Sequence, residues 1–141
     1  MKKLAHLFIL VVVITFLGGC NLFHHSHSWI KTYDYTGRDS LGNAVAHGWF
    51  TLNMRDSSNI TGDWSIHKLN DSTLIGPQNG TGHLVGSINP SGEIWIGLNP
   101  DVKDNNVFLH GQYHSDKFSG KWLYSSFIGL TNGGTFVAVK K

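Results

Sequence analysis

The chain has a single cysteine, a single glutamate and three prolines among its 141 residues. One cysteine excludes an internal disulfide, so the folded part must be stabilised by its hydrophobic core. Charged residues make up 14% of the chain and form no long run of either sign. We therefore expect neither a basic surface for nucleic acid nor a basic stripe that steers the protein to anionic lipid.

The chain also lacks an apolar run long enough for a membrane span. The unbroken run Leu7–Ile14 is well below the ~20 residues that a bilayer-spanning helix needs. Lys2 and Lys3 precede it, and Gly18-Gly19-Cys20 follows a few residues later. A basic start, an apolar core and small residues before a processing site are typical of a secretory signal peptide.

The segment Leu17-Gly18-Gly19-Cys20 resembles the lipobox of bacterial lipoproteins. The resemblance implies that the thiol of Cys20 receives a diacylglyceryl group and that a peptidase then removes residues 1–19. Acylation would also remove a free thiol that is unfavourable in an oxidising compartment. The alternative is an ordinary cleaved signal peptide with a coincidental cysteine. In Gram-negative lipoproteins an Asp after the Cys marks inner-membrane retention, so Asn21 implies an outer-membrane location in the cell envelope.

Residues 20–28 show no hydrophobic period and predict a flexible tether, which leaves residues 29–141 as one domain. Loss of Lys2 and Lys3 would leave nine basic and nine acidic residues, so the whole-chain pI near 8.7 does not describe the mature protein. The tether contains three closely spaced histidines: His24, His25 and His27. Imidazoles can bind Zn²⁺, Cu²⁺ or Ni²⁺, but a flexible segment offers no preorganised geometry, so we expect no metal or other cofactor.

From Trp29 onward, apolar and polar residues alternate in short runs separated by turn residues, and no window has helical spacing. About eight strands with short connections predict an all-β, antiparallel up-and-down barrel, because closure removes exposed edges. A two-sheet β-sandwich is the alternative. The alternation places six aromatic residues on the inward side: Phe50, Trp64, Tyr113, Phe118, Trp122 and Phe136.

A Gly-x-aromatic unit recurs along these predicted strands. It appears as Gly62-Asp63-Trp64, Gly111-Gln112-Tyr113, Gly120-Lys121-Trp122 and Gly134-Thr135-Phe136. Over most of residues 44–139 this pattern resembles the calycin group of small barrels, the lipocalins and avidins. The resemblance implies the same barrel architecture, but it carries no ligand-binding residue across. The Gly-x-Trp start motif of lipocalins, followed by a helix, is not evident.

Catalytic motifs are missing as well. The chain has no Gly-x-Ser-x-Gly, no His-Glu-x-x-His and no phosphate-binding glycine loop. A glycosidase needs two carboxylates at one cleft, and no inward pair is visible. The oxygen-rich segment Asn99–Asn106 lacks the order of an EF-hand loop and predicts a hairpin turn. We therefore expect no enzyme. The strand histidines fall on the outward side and are predicted to be solvated: His47, His67, His83 and His110.

The outward residues include one apolar group. A symmetric turn over Asn99–Asp104 would place Trp95 opposite Phe108 and Glu93 opposite His110. The next turn would place Phe108 opposite Leu123. Trp95, Phe108 and Leu123 are therefore a candidate contact surface, with ordinary cross-strand packing as the alternative.

These features predict a lipid-anchored cell-envelope lipoprotein that acts as a non-catalytic binding or interaction module. Its partners would be the membrane, through Cys20, and a protein or a small apolar ligand, but not nucleic acid. One alternative is a structural or envelope-assembly lipoprotein with a filled barrel. The other is an enzyme whose site is assembled from distant residues. An open barrel cavity would favour the first function, and a filled interior with an exposed apolar row would favour the second.

Overall fold

The computed structural model describes residues 29–69, 75–102 and 104–141, which form one closed antiparallel β-barrel. Its strands are β1 (Ile30–Arg38), β2 (Ala44–Asn53), β3 (Ile60–Lys68), β4 (Gly80–Ile88), β5 (Glu93–Gly97), β6 (Asn105–His114), β7 (Lys117–Ser126) and β8 (Gly129–Lys140). Each strand pairs with the next, and β1 pairs with β8. The predicted up-and-down barrel is confirmed, and the alternative sandwich is wrong. Within the described ranges, no helix is long and apolar enough to span a membrane.

The predicted inward aromatic residues fill the barrel. Phe50, Phe118, Trp122 and Phe136 are at most 1% exposed, and Trp64 is 3% exposed. The ring centroids of Phe118 and Phe136 lie 4.6 Å apart. Tyr113 is only partly buried, at the end of the barrel where its hydroxyl donates to the carbonyl of Ser115.

Strand β1 contributes two further buried aromatic residues, Tyr33 and Tyr35, which the sequence analysis had not placed in the core. Both are fully buried. The hydroxyl of Tyr35 donates to Oε1 of Gln78 at 2.8 Å, and the ring of Tyr35 stacks on Phe136. Burial raises the pKa of both tyrosines well above the ordinary value, so both hydroxyls stay protonated.

The two buried tryptophans also bond to distant parts of the chain. Nε1 of Trp64 donates to the carbonyl of Leu98 at 2.6 Å, and Nε1 of Trp122 donates to the carbonyl of Arg38 at 2.8 Å. A buried indole N–H needs an acceptor, and these carbonyls lie at strand ends. Each tryptophan therefore fills the interior and also holds a loop or strand end against it.

The Gly-x-aromatic unit marks places where two backbones nearly touch. Gly111 of β6 pairs directly with Gly120 of β7. A Cβ atom on Gly111 would lie 2.1 Å from the carbonyl oxygen of Ser119, and one on Gly120 would lie 2.1 Å from that of His110. No side chain fits at either position, which explains why glycine recurs beside the inward aromatic residues.

The β5–β6 hairpin differs from the predicted register by two residues. Trp95 pairs with His110, and Glu93 pairs with Gln112. The connection is centred one residue later than a symmetric turn over Asn99–Asp104 would be, since the amide of Leu98 donates to the carbonyl of Val107. Because side chains alternate with a period of two, a two-residue shift leaves every side chain on its predicted face.

Candidate functional site

The clearest concavity lies on the outside of the barrel, across strands β4, β5 and β6. We call it the Trp95 groove; it has a volume of about 460 Å³, and its lining includes Val85, Ser87, Trp95, Gly97, Asn106 and Phe108. Gly97 pairs with Val85 on one side and with Phe108 on the other. Because Gly97 has no side chain, it leaves a gap between its two apolar neighbours. This volume is within the range of small-molecule sites.

Two of the three predicted contact residues lie in this groove. Trp95 is 44% exposed, and both Trp95 and Phe108 line the groove. Leu123 pairs with Phe108, as predicted, but it lies outside the groove. The predicted pairing of Trp95 with Phe108 is wrong, because the register shift places His110 there.

Trp95 is held in place by His110. Their rings stack with centroids 4.1 Å apart and planes inclined by 18°. Nε2 of His110 lies 2.7 Å from Oε1 of Glu93, so the imidazole has a carboxylate partner. Glu93 and His110 therefore meet, as the sequence analysis expected, although they touch diagonally and are not a direct pair. The stack restrains an exposed indole at the border of the groove.

A polar cleft lies beyond His110. Its volume is about 400 Å³, and its lining includes Glu93, His110, Gln112, Ser119 and Lys121. The cleft offers a carboxylate, an amide, a hydroxyl and an ammonium group within one depression. The Trp95–His110 stack thus has an apolar groove on one side and a polar cleft on the other. This arrangement suits an amphipathic ligand.

A second carboxylate–histidine pair lies on the outer surface of β3 and β4. Nδ1 of His83 is 2.5 Å from Oδ1 of Asp63, and the two side chains are 83% and 60% exposed. They border a depression of about 250 Å³ that Ile30 also lines. On β2 and β3, His47 and His67 pair directly and their rings meet edge to face. The strand histidines are outward, as predicted, and exposed pairs of this kind contribute about 0–1 kcal/mol.

No group of three or more metal-ligating side chains forms among residues 29–69, 75–102 and 104–141. The weak candidate ligands in the tether, His24, His25 and His27, lie outside the described residues, and so does Cys20.

Charge is distributed unevenly around the barrel. Strands β7, β8 and β1, which are neighbours in the closed sheet, carry five basic residues and one acidic residue, Asp34. The basic residues are Lys31, Arg38, Lys117, Lys121 and Lys140. Strands β4, β5 and β6 carry no Lys or Arg. Closure of the sheet brings β1 beside β8, so these basic residues lie on neighbouring strands of the folded protein.

No protein-family model, no curated protein and no solved structure matches the chain.

Proposed function

We propose that this protein is a lipid-anchored lipoprotein of the cell envelope whose barrel reversibly binds a small amphipathic molecule on its outer face. The Trp95 groove is the observation that carries the binding role. Catalysis is not part of the proposal. The calycin resemblance enters only as likeness of architecture, since the ligand position proposed here is outside the barrel.

The packed interior supports an external site. The side chains of Tyr33, Tyr35, Phe50 and Phe118 fill the barrel and are fully buried. A ligand inside would have to displace these aromatic rings, each of which contributes a large buried area. The groove needs no such displacement, because Gly97 already leaves the space open between Val85 and Phe108.

The chemistry of the lining supports an amphipathic ligand. The apolar part would lie against Trp95 and Phe108, where removal of apolar surface from water favours binding. The polar part would reach past the His110 ring to Gln112 in the polar cleft. Fixed polar groups beside an apolar pocket supply orientation and specificity.

Filling the groove tests the binding role. We expect the amphipathic dye anilinonaphthalene sulfonate to bind the detergent-extracted native protein, and Gly97→Leu to weaken binding at least ~10-fold, or about 1.4 kcal/mol. A Cβ atom at Gly97 would lie 3.3 Å from Nδ2 of Asn106 and 3.7 Å from Cε1 of Phe108, so the new side chain would occupy the groove.

Leu41→Ser is the matched control, because Leu41 is 85% exposed in the loop after β1 and lies outside the groove. It should leave dye binding unchanged. Equal dye affinity in Gly97→Leu and the unsubstituted protein, with both folded by circular dichroism, would contradict the proposed site.

The anchor has a separate test. Intact mass of the membrane-extracted protein should show Cys20 as the first residue, carrying its acyl groups. Several acyl chains anchor a protein stably, whereas one binds only marginally. Cys20→Ala should abolish both acylation and the cleavage. Recovery of the wild-type protein in the soluble fraction, with another first residue, would reject the lipoprotein assignment.

The packed interior also favours a second candidate, a structural or envelope-assembly lipoprotein. In that case deletion of the protein should weaken the envelope, and the Gly97→Leu variant should restore resistance to detergent as fully as the wild type. Failure of Gly97→Leu to restore resistance would favour the binding role.

A further inference from the structure

The hairpin between β7 and β8 ends in an exposed apolar tip. Phe127 and Ile128 form the turn and are each 87% exposed, and Leu130 is 69% exposed. Gly129 closes the turn with φ of +101°, a conformation that glycine adopts without strain. Turns usually carry Gly, Asn, Asp, Ser or Pro. Two large apolar residues at this turn therefore point to a contact outside the domain.

Side-chain hydrogen bonds join the two strands just behind the tip. Oγ of Ser126 lies 2.7 Å from Oγ1 of Thr131, and the hydroxyl of Thr131 donates to the carbonyl of Gly129 at 3.1 Å. These bonds hold the two strands together just behind the turn. The tip therefore projects Phe127 and Ile128 from the sheet as a short, preorganised wedge.

The side of the barrel that carries this tip suits an anionic lipid surface. The outward residues of β8 are uncharged along its length: Thr131, Gly133, Thr135, Val137 and Val139. Lys117 and Lys121 flank this stripe on β7, and Arg38 flanks it on β1. Asp34 of β1 lies opposite Val139, where its charge is paired with Lys141. An uncharged stripe beside basic residues, ending in an apolar tip, favours contact with anionic headgroups.

The chain enters the barrel on this same side, at the end opposite the Phe127–Ile128 tip. The first described residues, Trp29 and Ile30, are more than half exposed and lie beside the C-terminal end of β8, where the amide of Lys141 donates to the carbonyl of Thr32. The eight residues 21–28 span at most about 29 Å when extended. A lipid on Cys20 would therefore hold the barrel within reach of the bilayer.

We propose that the β7–β8–β1 side of the barrel lies on an anionic bilayer, with Phe127 and Ile128 inserted between the lipids and the Trp95 groove facing the aqueous side. This inference rests on the membrane location in the proposed function, but it concerns orientation, which a lipid anchor alone does not impose. We favour a bilayer over a protein surface as the partner. The basic residues are spread over three adjacent strands, which suits a broad anionic surface, and the narrow apolar tip suits insertion between lipids.

The single cysteine makes the orientation measurable. The native lipoprotein is reconstituted into vesicles of phosphatidylglycerol and phosphatidylcholine, and Ile128→Cys is labelled with an environment-sensitive fluorophore. Ser91→Cys, in the turn between β4 and β5 on the other side of the barrel, is the matched control. The unsubstituted protein is treated with the same reagent as a blank, because acylated Cys20 cannot react.

We expect the label at residue 128 to shift to the blue and to be quenched by nitroxide-bearing lipid, and the label at residue 91 to remain unquenched. Lys117→Gln with Lys121→Gln should reduce the quenching at residue 128 in anionic vesicles. Raising the salt to roughly 1 M should do the same, because the screening length falls to ~3 Å.

Equal quenching at both positions, or quenching at residue 91 alone, would overturn the proposed orientation. Labelling of the blank would instead show a free thiol at Cys20 and would reject the lipid anchor. In that case Phe127→Ser with Ile128→Ser still tests insertion through the loss of flotation with the same vesicles. Unchanged flotation of the double variant would overturn the insertion.

Discussion

The β7–β8–β1 side and the β4–β5–β6 side of the barrel share one interior but expose different chemistry to solvent. The first carries the basic residues, an uncharged stripe along β8 and the apolar tip at Phe127 and Ile128. The second carries the Trp95 groove and the acidic Glu93. The difference shows how the inward residues of a closed barrel can stabilise the fold while outward residues on different strands make separate contacts. The following variants test how independent those faces are.

The largest effect should come from the shared interior. Trp122→Ala removes a fully buried indole of β7 and its bond to the carbonyl of Arg38. We expect the free energy of unfolding to fall by about 3–5 kcal/mol, measured by urea denaturation. Lys121→Ala changes the exposed neighbour and should cost less than ~0.5 kcal/mol. Equal losses of unfolding free energy in the two variants would contradict the view that the buried interior stabilises both sides of the barrel.

The seam between the two sides should be the next most sensitive place. Gly120 pairs with Gly111 across β6 and β7, and a Cβ atom there would lie 2.1 Å from the carbonyl oxygen of His110. Gly120→Ala should therefore destabilise the fold by about 1–3 kcal/mol through overpacking. Gly80→Ala is a control for substitution without a clash, since nothing lies within 4 Å, although its φ of +133° adds backbone strain. A smaller loss for Gly120→Ala than for the control would contradict the close approach.

Alkaline pH should act on the interior through Tyr35. Burial raises its folded-state pKa, so its stabilising contribution is complete below the unfolded value of about 10 and is lost as pH rises beyond it. Tyr35→Phe should flatten this alkaline loss, followed as unfolding midpoint against pH. At neutral pH the variant should lose about 1–3 kcal/mol, because Oε1 of Gln78 loses its buried donor. An unchanged alkaline slope would show that Tyr35 does not determine it.

The smallest effect should come from the exposed ion pair on β3 and β4. Asp63→Asn removes the charge that faces His83, and both side chains are largely exposed. We expect a change below ~1 kcal/mol in thermal denaturation, decreasing further at high salt. His83→Asn should change stability by a similarly small amount. In the double variant the effects of the two substitutions should be nearly additive. A coupling above ~2 kcal/mol would indicate that this pair belongs to a functional site.

The sequence was sufficient to predict the barrel because alternation with a period of two is local. Each run places Phe50, Trp64 or Phe136 on one face regardless of its partners, and short turns allow only antiparallel neighbours. The burial of Tyr33 and Tyr35 was missed because β1 is a weaker run, bounded by polar residues on its outward side. Strand pairing on both edges, with β2 and β8, places that run in the core.

The candidate site was only partly predictable. Trp95 and Phe108 were identified as outward apolar residues, which follows from alternation. The stacking of Trp95 on His110 depended on register, which differs by two residues from that of a symmetric turn over Asn99–Asp104. The gap at Gly97 could not be recognised as a groove, because a missing side chain becomes a cavity only when its neighbours on two other strands are known.

The sequence by itself determined the strand pattern, the inward aromatic residues, the polar turns and the likeness of Leu17–Cys20 to a lipobox. Local spacing alone encodes these features. Only the tertiary structure decided the register of β5 against β6, the Trp95 groove and the basic side of the barrel. Arg38 and Lys121 are 83 positions apart in the chain, and they flank one stripe only because β8 pairs with both β1 and β7. Closure of a sheet joins the first strand to the last, and no local pattern contains that contact.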